Sequence, residues 1–252
     1  MRDLTYDGQS LNEKGFAVKT YPVRRIAERD MNFTSVIGRD GDVPIDNFRF
    51  KNVTETYEIN SLPHRVTAED TQALMNELID WLVPTNSDYK IFTDENNLGY
   101  FTKAICTSVG EMSQSFLNKH IDTTLTFQRQ PYWYSYEGQK EIELIGNKQF
   151  KIYNPEKHNS QPLIRVYGTG TVDLMVNGTD YLLKIPSAYG YIDIDSELQS
   201  VFVGLSNLNK DVDFDYLPIF RPGNNTIYAV GYLGTSGNTA EKVVITPRWR
   251  RL

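Results

Sequence analysis

The stretch VDLMVNGTDYLLKI, residues 172–185, alternates apolar and polar positions on both sides of one Asn-Gly pair. Val172, Leu174 and Val176 share one face before the pair, and Tyr181, Leu183 and Ile185 share one after it. Asn177 and Gly178 tolerate the positive φ that a two-residue hairpin turn requires. The stretch therefore reads as an antiparallel hairpin with one buried face. Downstream, YIDID (191–195), SVFVGL (200–205), TIYAVGYL (226–233) and KVVITP (242–247) are further short strands, set between Gly, Pro and Asn turns with no helical period among them. Strands so spaced predict an antiparallel β-sandwich.

Upstream the pattern is also β-rich, with one helix predicted over about 68–82. Thr67 is its candidate cap, with Asp70 three residues on, and Pro84 follows where the helix should stop. Leu74, Leu78, Trp81 and Leu82 fall on one helical face, which Met75 and Ile79 widen. FRFKNVTETYEI (48–59) precedes it as strand, and YKIFTDENNLGYFTKAI (89–105) follows as two strands around a polar turn. From Ile121 to Phe127 the odd positions Ile121, Thr123, Leu125 and Phe127 form a buried face. A meander with a helical cover results. In QPYWYSYEGQ (130–139) the alternation breaks among clustered aromatics, and the domain boundary is placed there: 1–133 and 134–252.

Hydrophobic residues at 40% and charged residues at 23% are ordinary for a globular chain, and no apolar run approaches a membrane span. The N-terminus lacks the apolar run of a secretory signal. A net charge of -6 argues against gripping nucleic acid phosphates. The single cysteine, Cys106, excludes an internal disulfide and reads as a small core residue.

Catalytic patterns are mostly missing. His64, His120 and His158 sit in unrelated contexts without metal-ligand spacing. Gly168-Thr169-Gly170 opens like a dinucleotide fingerprint, but Asp173 replaces the third glycine and a strand follows, so it reads as a turn. Gly204-Leu205-Ser206 resembles half a nucleophile elbow without its closing glycine. Two carboxylate rows remain: Asp193, Asp195 and Glu197, then Asp211, Asp213 and Asp215. Each period-two row reads as a solvated strand face, with Ca²⁺ binding or glycosidase-type acid/base work as the alternatives. Tyr189 and Tyr191 are candidate sugar-stacking rings, so a carbohydrate-binding protein that docks host saccharide through the C-terminal sandwich stays open. No catalytic, cofactor-binding or metal residue is assigned.

Several segments, in order along the chain, resemble the distal tail (Dit) family of long-tailed phages. They are the turn Gly38-Arg39-Asp40-Gly41-Asp42, Asp46 to Phe50, Tyr57-Glu58-Ile59, the helix, Tyr89 to Asp94, Tyr100 to Ala104, Pro131 to Tyr134, Pro162-Leu163-Ile164 and Asn177-Gly178. Ile192 to Glu197, Leu217-Pro218, Arg221 to Ile227 and the ending Pro247 to Leu252 complete the set. The resemblance implies a mainly β, two-domain fold: an N-terminal ring-forming belt domain with one α-helix, and a C-terminal galectin-like β-sandwich. It implies a structural virion protein, a homo-hexamer at the tail tip or baseplate, synthesised in the bacterial host cytoplasm. This hub would join the major tail tube protein to the tail-associated tip protein and to receptor-binding or baseplate proteins. DNA would pass through the ring without specific binding; no cofactor, membrane or enzymatic activity is implied. A ring needs heterologous contacts. Gly38, Arg39, Asp40 and Gly41 are candidate contact residues, as are Arg248 and Arg250 if they pair with acidic partners instead of solubilising a strand end.

Overall fold

The computed structural model describes residues 2–62, 68–83, 88–115, 120–146, 148–210, 212, 216–231 and 237–252, without the side chains of 68–71 and 113–115. Thr67, the side chain of Asp70, the stop at Pro84, His64 and the row Asp211, Asp213, Asp215 therefore lie outside what is described. The fold is mainly β, built from antiparallel sheets with one α-helix. Two compact units divide the chain, Met1–Trp133 with Leu252, and Tyr134–Arg251.

The first unit is built on an antiparallel sheet in the order Gln9–Ser10, Leu4–Tyr6, Lys90–Asp94, Tyr100–Val109, His120–Arg129, Val53–Ser61, Phe16–Thr20. It curls back on itself, since Val18 N–H donates to Arg2 O at 3.1 Å. The alternation of 121–127 holds, because Ile121, Thr123, Leu125 and Phe127 are all buried in the curl. Tyr6, Tyr57, Phe92 and Phe127 fill it, with Phe92 and Phe127 centroids 4.9 Å apart. The helix Ala68–Leu82 covers this core with fully buried Leu78 and Leu82. Trp81 Nε1–H donates to Tyr6 O at 3.3 Å. Ile79 does not join the buried stripe: it is 41% exposed, and the covered face is narrower than the apolar pattern suggests.

The second unit is a sandwich whose sheets share one long strand, Leu163–Val176. Its first half pairs with Tyr191–Asp195 and Thr239–Thr246. Its second half pairs with Thr179–Ile185 and Gly223–Gly231. The expected turn at Gly168-Thr169-Gly170 is instead the corner at which this strand passes between sheets. Its register shifts at Tyr167/Gly168, and a Cβ on Gly168 would meet Thr239 O at 2.0 Å. Only glycine permits that approach.

The hairpin of 172–185 has its predicted register, with Leu174 opposite Tyr181 and Val176 opposite Thr179. Asn177 and Gly178 have φ of 53° and 82°, as a type I′ turn demands. A Cβ on Gly178 would touch nothing within 4 Å, so Gly178→Ala carries only the left-handed backbone penalty. Urea unfolding of the second unit should register a loss of about 1–2 kcal/mol.

Candidate functional site

Asp193 and Asp195 of the row 193–197 are buried, which corrects the solvated-face reading for these two, while Glu197 is half-buried. Ile192, Asp193, Ile194 and Asp195 are each at most 3% exposed, because this strand pairs on both edges, with Leu163–Val176 and Ser200–Val203. Buried carboxylates need partners, and both have arginine forks. Arg165 donates to Asp193 through Nε at 2.6 Å and Nη2 at 2.8 Å. Arg248 donates to Asp195 through Nη1 at 2.6 Å and Nη2 at 2.9 Å, and approaches Glu197 at 3.4 Å. Burial alone would raise the Asp195 carboxyl; Arg248 and the N–H groups of Leu198 and Glu197 override it and hold the pKa below the ordinary range. Asp195 is thus a fixed anion, unsuited to donate a proton at neutral pH. Among the described residues, no group of three or more His, Cys, Asp or Glu is arranged to hold a metal ion.

Arg248 and Arg250 are engaged within their own unit. Arg250 is 8% exposed and donates to Asn159 O and Gln161 Oε1, both at 2.7 Å. Between them Trp249 packs on Phe220, centroids 5.7 Å apart. Arg248 and Arg250 are thus held by groups of this unit, a use that the sequence readings did not include.

His120 Nε2 lies 2.8 Å from Asp122 in the first unit, whereas His158 belongs to the second. Cys106 is buried, and burial pushes its thiol up to about 11. It should resist alkylation by iodoacetamide at pH 8 until the first unit unfolds, and labelling of native protein would contradict this placement.

The candidate sugar rings are largely occupied. Tyr191 packs edge-on to Tyr189 at 6.4 Å and tilted on Tyr167 at 5.9 Å. The Arg165 guanidinium sits 4.5 Å from the Tyr191 centroid and the Lys242 ammonium 4.9 Å from that of Tyr167. Tyr189, 53% exposed, is the most open of the three rings.

The candidate contact turn sits on an unusual element. Among the described residues, strands Arg29–Thr34 and Val43–Phe50 pair only with each other, in a sheet separate from the curled one. Gly38, Arg39, Asp40 and Gly41 form the exposed link at the tip of this arm. Arg29 Nε donates to Asp46 at 2.8 Å and Arg49 Nε to Asp30 at 2.7 Å, while Phe50 packs edge-on to Tyr132 at 5.9 Å. Phe33, Val36, Ile37, Ile45 and Phe48 are nevertheless 48–104% exposed. Large apolar residues at both parities mark such an element, which is the signal the strand reading passed over.

The fold of these two β units is shared with phage tail hub and baseplate proteins. The chain is similar over its whole length to the Dit (gp 19.1) protein of phage SPP1, described as a paradigm of the hub adsorption apparatus in Gram-positive infecting phages. Identity is 15%, TM-score 0.71, with 100% of both chains covered. It is similar also to a chain of the phage P2 baseplate in its activated conformation with Ca, at 10% identity and TM-score 0.54, covering 100% of this chain and 98% of that one. The same baseplate with Sr gives 11% identity and TM-score 0.51, covering 97% and 98%. No family model and no curated protein matches.

Proposed function

We propose that this chain is a structural protein of a bacteriophage tail tip, a hub of six copies joining the tail tube to the baseplate and receptor-binding apparatus. The first unit, residues 1–133, forms the ring, and the second, from 134, projects as a sandwich that other baseplate proteins use. The tail tube protein meets one side of the ring and the tail-associated protein the other. The genome passes through the centre; the net charge of -6 suits a wall that must not retain DNA. The protein resides in the virion and catalyses nothing. No described helix is long and apolar enough to cross a membrane.

The observation that carries this reading is the end-to-end fold correspondence, at TM-score 0.71, with a protein described as a hub. Its test is the solution mass, by light scattering coupled to size exclusion across a concentration series. Six chain masses are expected. A monomer at every concentration, alone and mixed with the tail tube protein of the same phage, overturns it.

A further inference from the structure

In the second unit the strand Thr179–Ile185 pairs, among the described residues, on one side only, with Leu163–Val176. It is longer than the other edge strands of this unit, Ile142–Ile145, Phe150–Asn154 and Ser206–Asn207. It holds no proline and no bulge, the devices that blunt an edge. Which groups it leaves open follows from its turn. A two-residue type I′ turn makes Val176 and Thr179 the closing pair that exchanges both backbone hydrogen bonds, and such pairs recur at every second position. Tyr181 and Leu183 therefore bond to Leu163–Val176, whereas Asp180, Leu182 and Lys184 aim N–H and C=O away from it. A cleft of about 550 Å³ beside Lys184, Ile185 and Pro186 leaves the end of this edge uncovered.

We propose that this edge pairs, antiparallel, with the same edge of a second copy of the chain, about a two-fold axis through Leu182. The contact goes beyond the hub reading and does not depend on it. A two-fold contact must be self-complementary, and this one is. Leu182 faces the second copy's Leu182, and Asp180 faces its Lys184 at both ends. Every open N–H and C=O at the three positions then finds a partner. Moving the register by two residues leaves an end unmatched and sets Leu182 against a charge.

Side chains fit the same register. Asp180 and Lys184 stand four residues apart on one strand, about 13 Å, too far to pair with each other. Neither is in an ion pair among the described residues. Asp180 instead crowds a second acid, Asp173, whose carboxyl is raised by burial and by the charge of Asp180. The second copy's Lys184 brings a cation to this acidic end. Leu182, 42% exposed, closes its open face against its own counterpart. A second copy therefore offers the edge matching backbone groups, an apolar contact and opposite charges.

The test is oxidative cross-linking of the full chain, in which the native Cys106 is buried. Leu182→Cys brings two thiols to the axis, where the Cα atoms of a hydrogen-bonded pair stand about 5.5 Å apart, within the reach of a disulfide. Copper-phenanthroline should convert most of this variant to a linked dimer on a non-reducing gel. Tyr153→Cys, exposed on the opposite edge of the same sheet, should stay unlinked. Adding Lys184→Asp to Leu182→Cys sets acid against acid and should slow linking about tenfold. Adding Asp180→Lys as well exchanges the charges and should restore it. Linking of Leu182→Cys no faster than that of Tyr153→Cys overturns the contact. An unchanged rate in Lys184→Asp, or a loss that Asp180→Lys does not reverse, overturns the register. The readout needs no ring: failure to link leaves the hub reading standing, and a chain that never closes a ring leaves this contact standing.

Discussion

Arg248→Ala should destabilise the second unit by about 3–5 kcal/mol at pH 7, because it strands the buried Asp195 carboxylate with only backbone N–H donors. The pH dependence identifies the cause. In the wild type Asp195 has a depressed pKa, so its stabilisation is present above the unfolded value near ~3.9 and fades as pH falls through the lower folded value. Without Arg248 only the N–H groups of Leu198 and Glu197 oppose burial, and the carboxyl rises. A raised carboxyl protonates in the folded state first, so the variant recovers stability on acidification. The gap between wild type and variant should therefore narrow from pH 7 to pH 4 in urea unfolding of the second unit. An equal gap at both pH values would assign the loss to packing around Trp249 instead.

How much was legible depends on whether a pattern has one physical cause or two. The hairpin at 172–185 could be read because one face is buried, so alternation and the Asn-Gly turn agree. The row Asp193, Asp195 could not. An Ile/Asp alternation looks the same on a solvated strand and on one whose acids are capped by arginine, and the capping residues stand 28 and 53 positions away. The same distance hid the role of Arg248, which looks like a free basic tail until Asp195 is placed beside it. Gly168 and Gly170 were noticed, but a turn and a sheet corner call for the same residues, and only the approach of Thr239 separates them. The turn Gly38 to Gly41 was visible from its chemistry. That its strands pair with no other strand among the described residues is a tertiary fact, and apolar residues at both parities were its faint local trace.

Glu55→Ala should be as damaging to the first unit as the loss of Arg248 is to the second. Arg129 is 2% exposed. Its Nη2 donates to Glu55 at 3.0 Å and Arg25 O at 2.9 Å, its Nη1 to the carbonyls of Gln130 and Pro131 at 3.2 and 3.3 Å. Its guanidinium also lies 5.4 Å from the Trp133 centroid. Tyr57 Oη lies 3.3 Å from Glu55 and 3.1 Å from Asp94, so its single proton serves one carboxylate at a time, while Asn97 donates to Asp94 at 2.8 Å. Burial, with the charges of Asp94 and Glu55, pushes the Tyr57 phenol well above its ordinary value, so the hydroxyl stays a donor. Removing Glu55 leaves an arginine with carbonyls alone against its charge, an expected loss of about 3–5 kcal/mol. Glu55→Leu with Arg129→Met removes both charges and should recover most of it, because a desolvated pair gains little over a well-packed apolar one. Urea unfolding followed through Trp81 and Trp133, both in this unit, separates the cases. A double variant no more stable than Glu55→Ala would mean that Arg129 holds the fold through its carbonyl bonds to residues 25, 130 and 131, with the ion pair secondary.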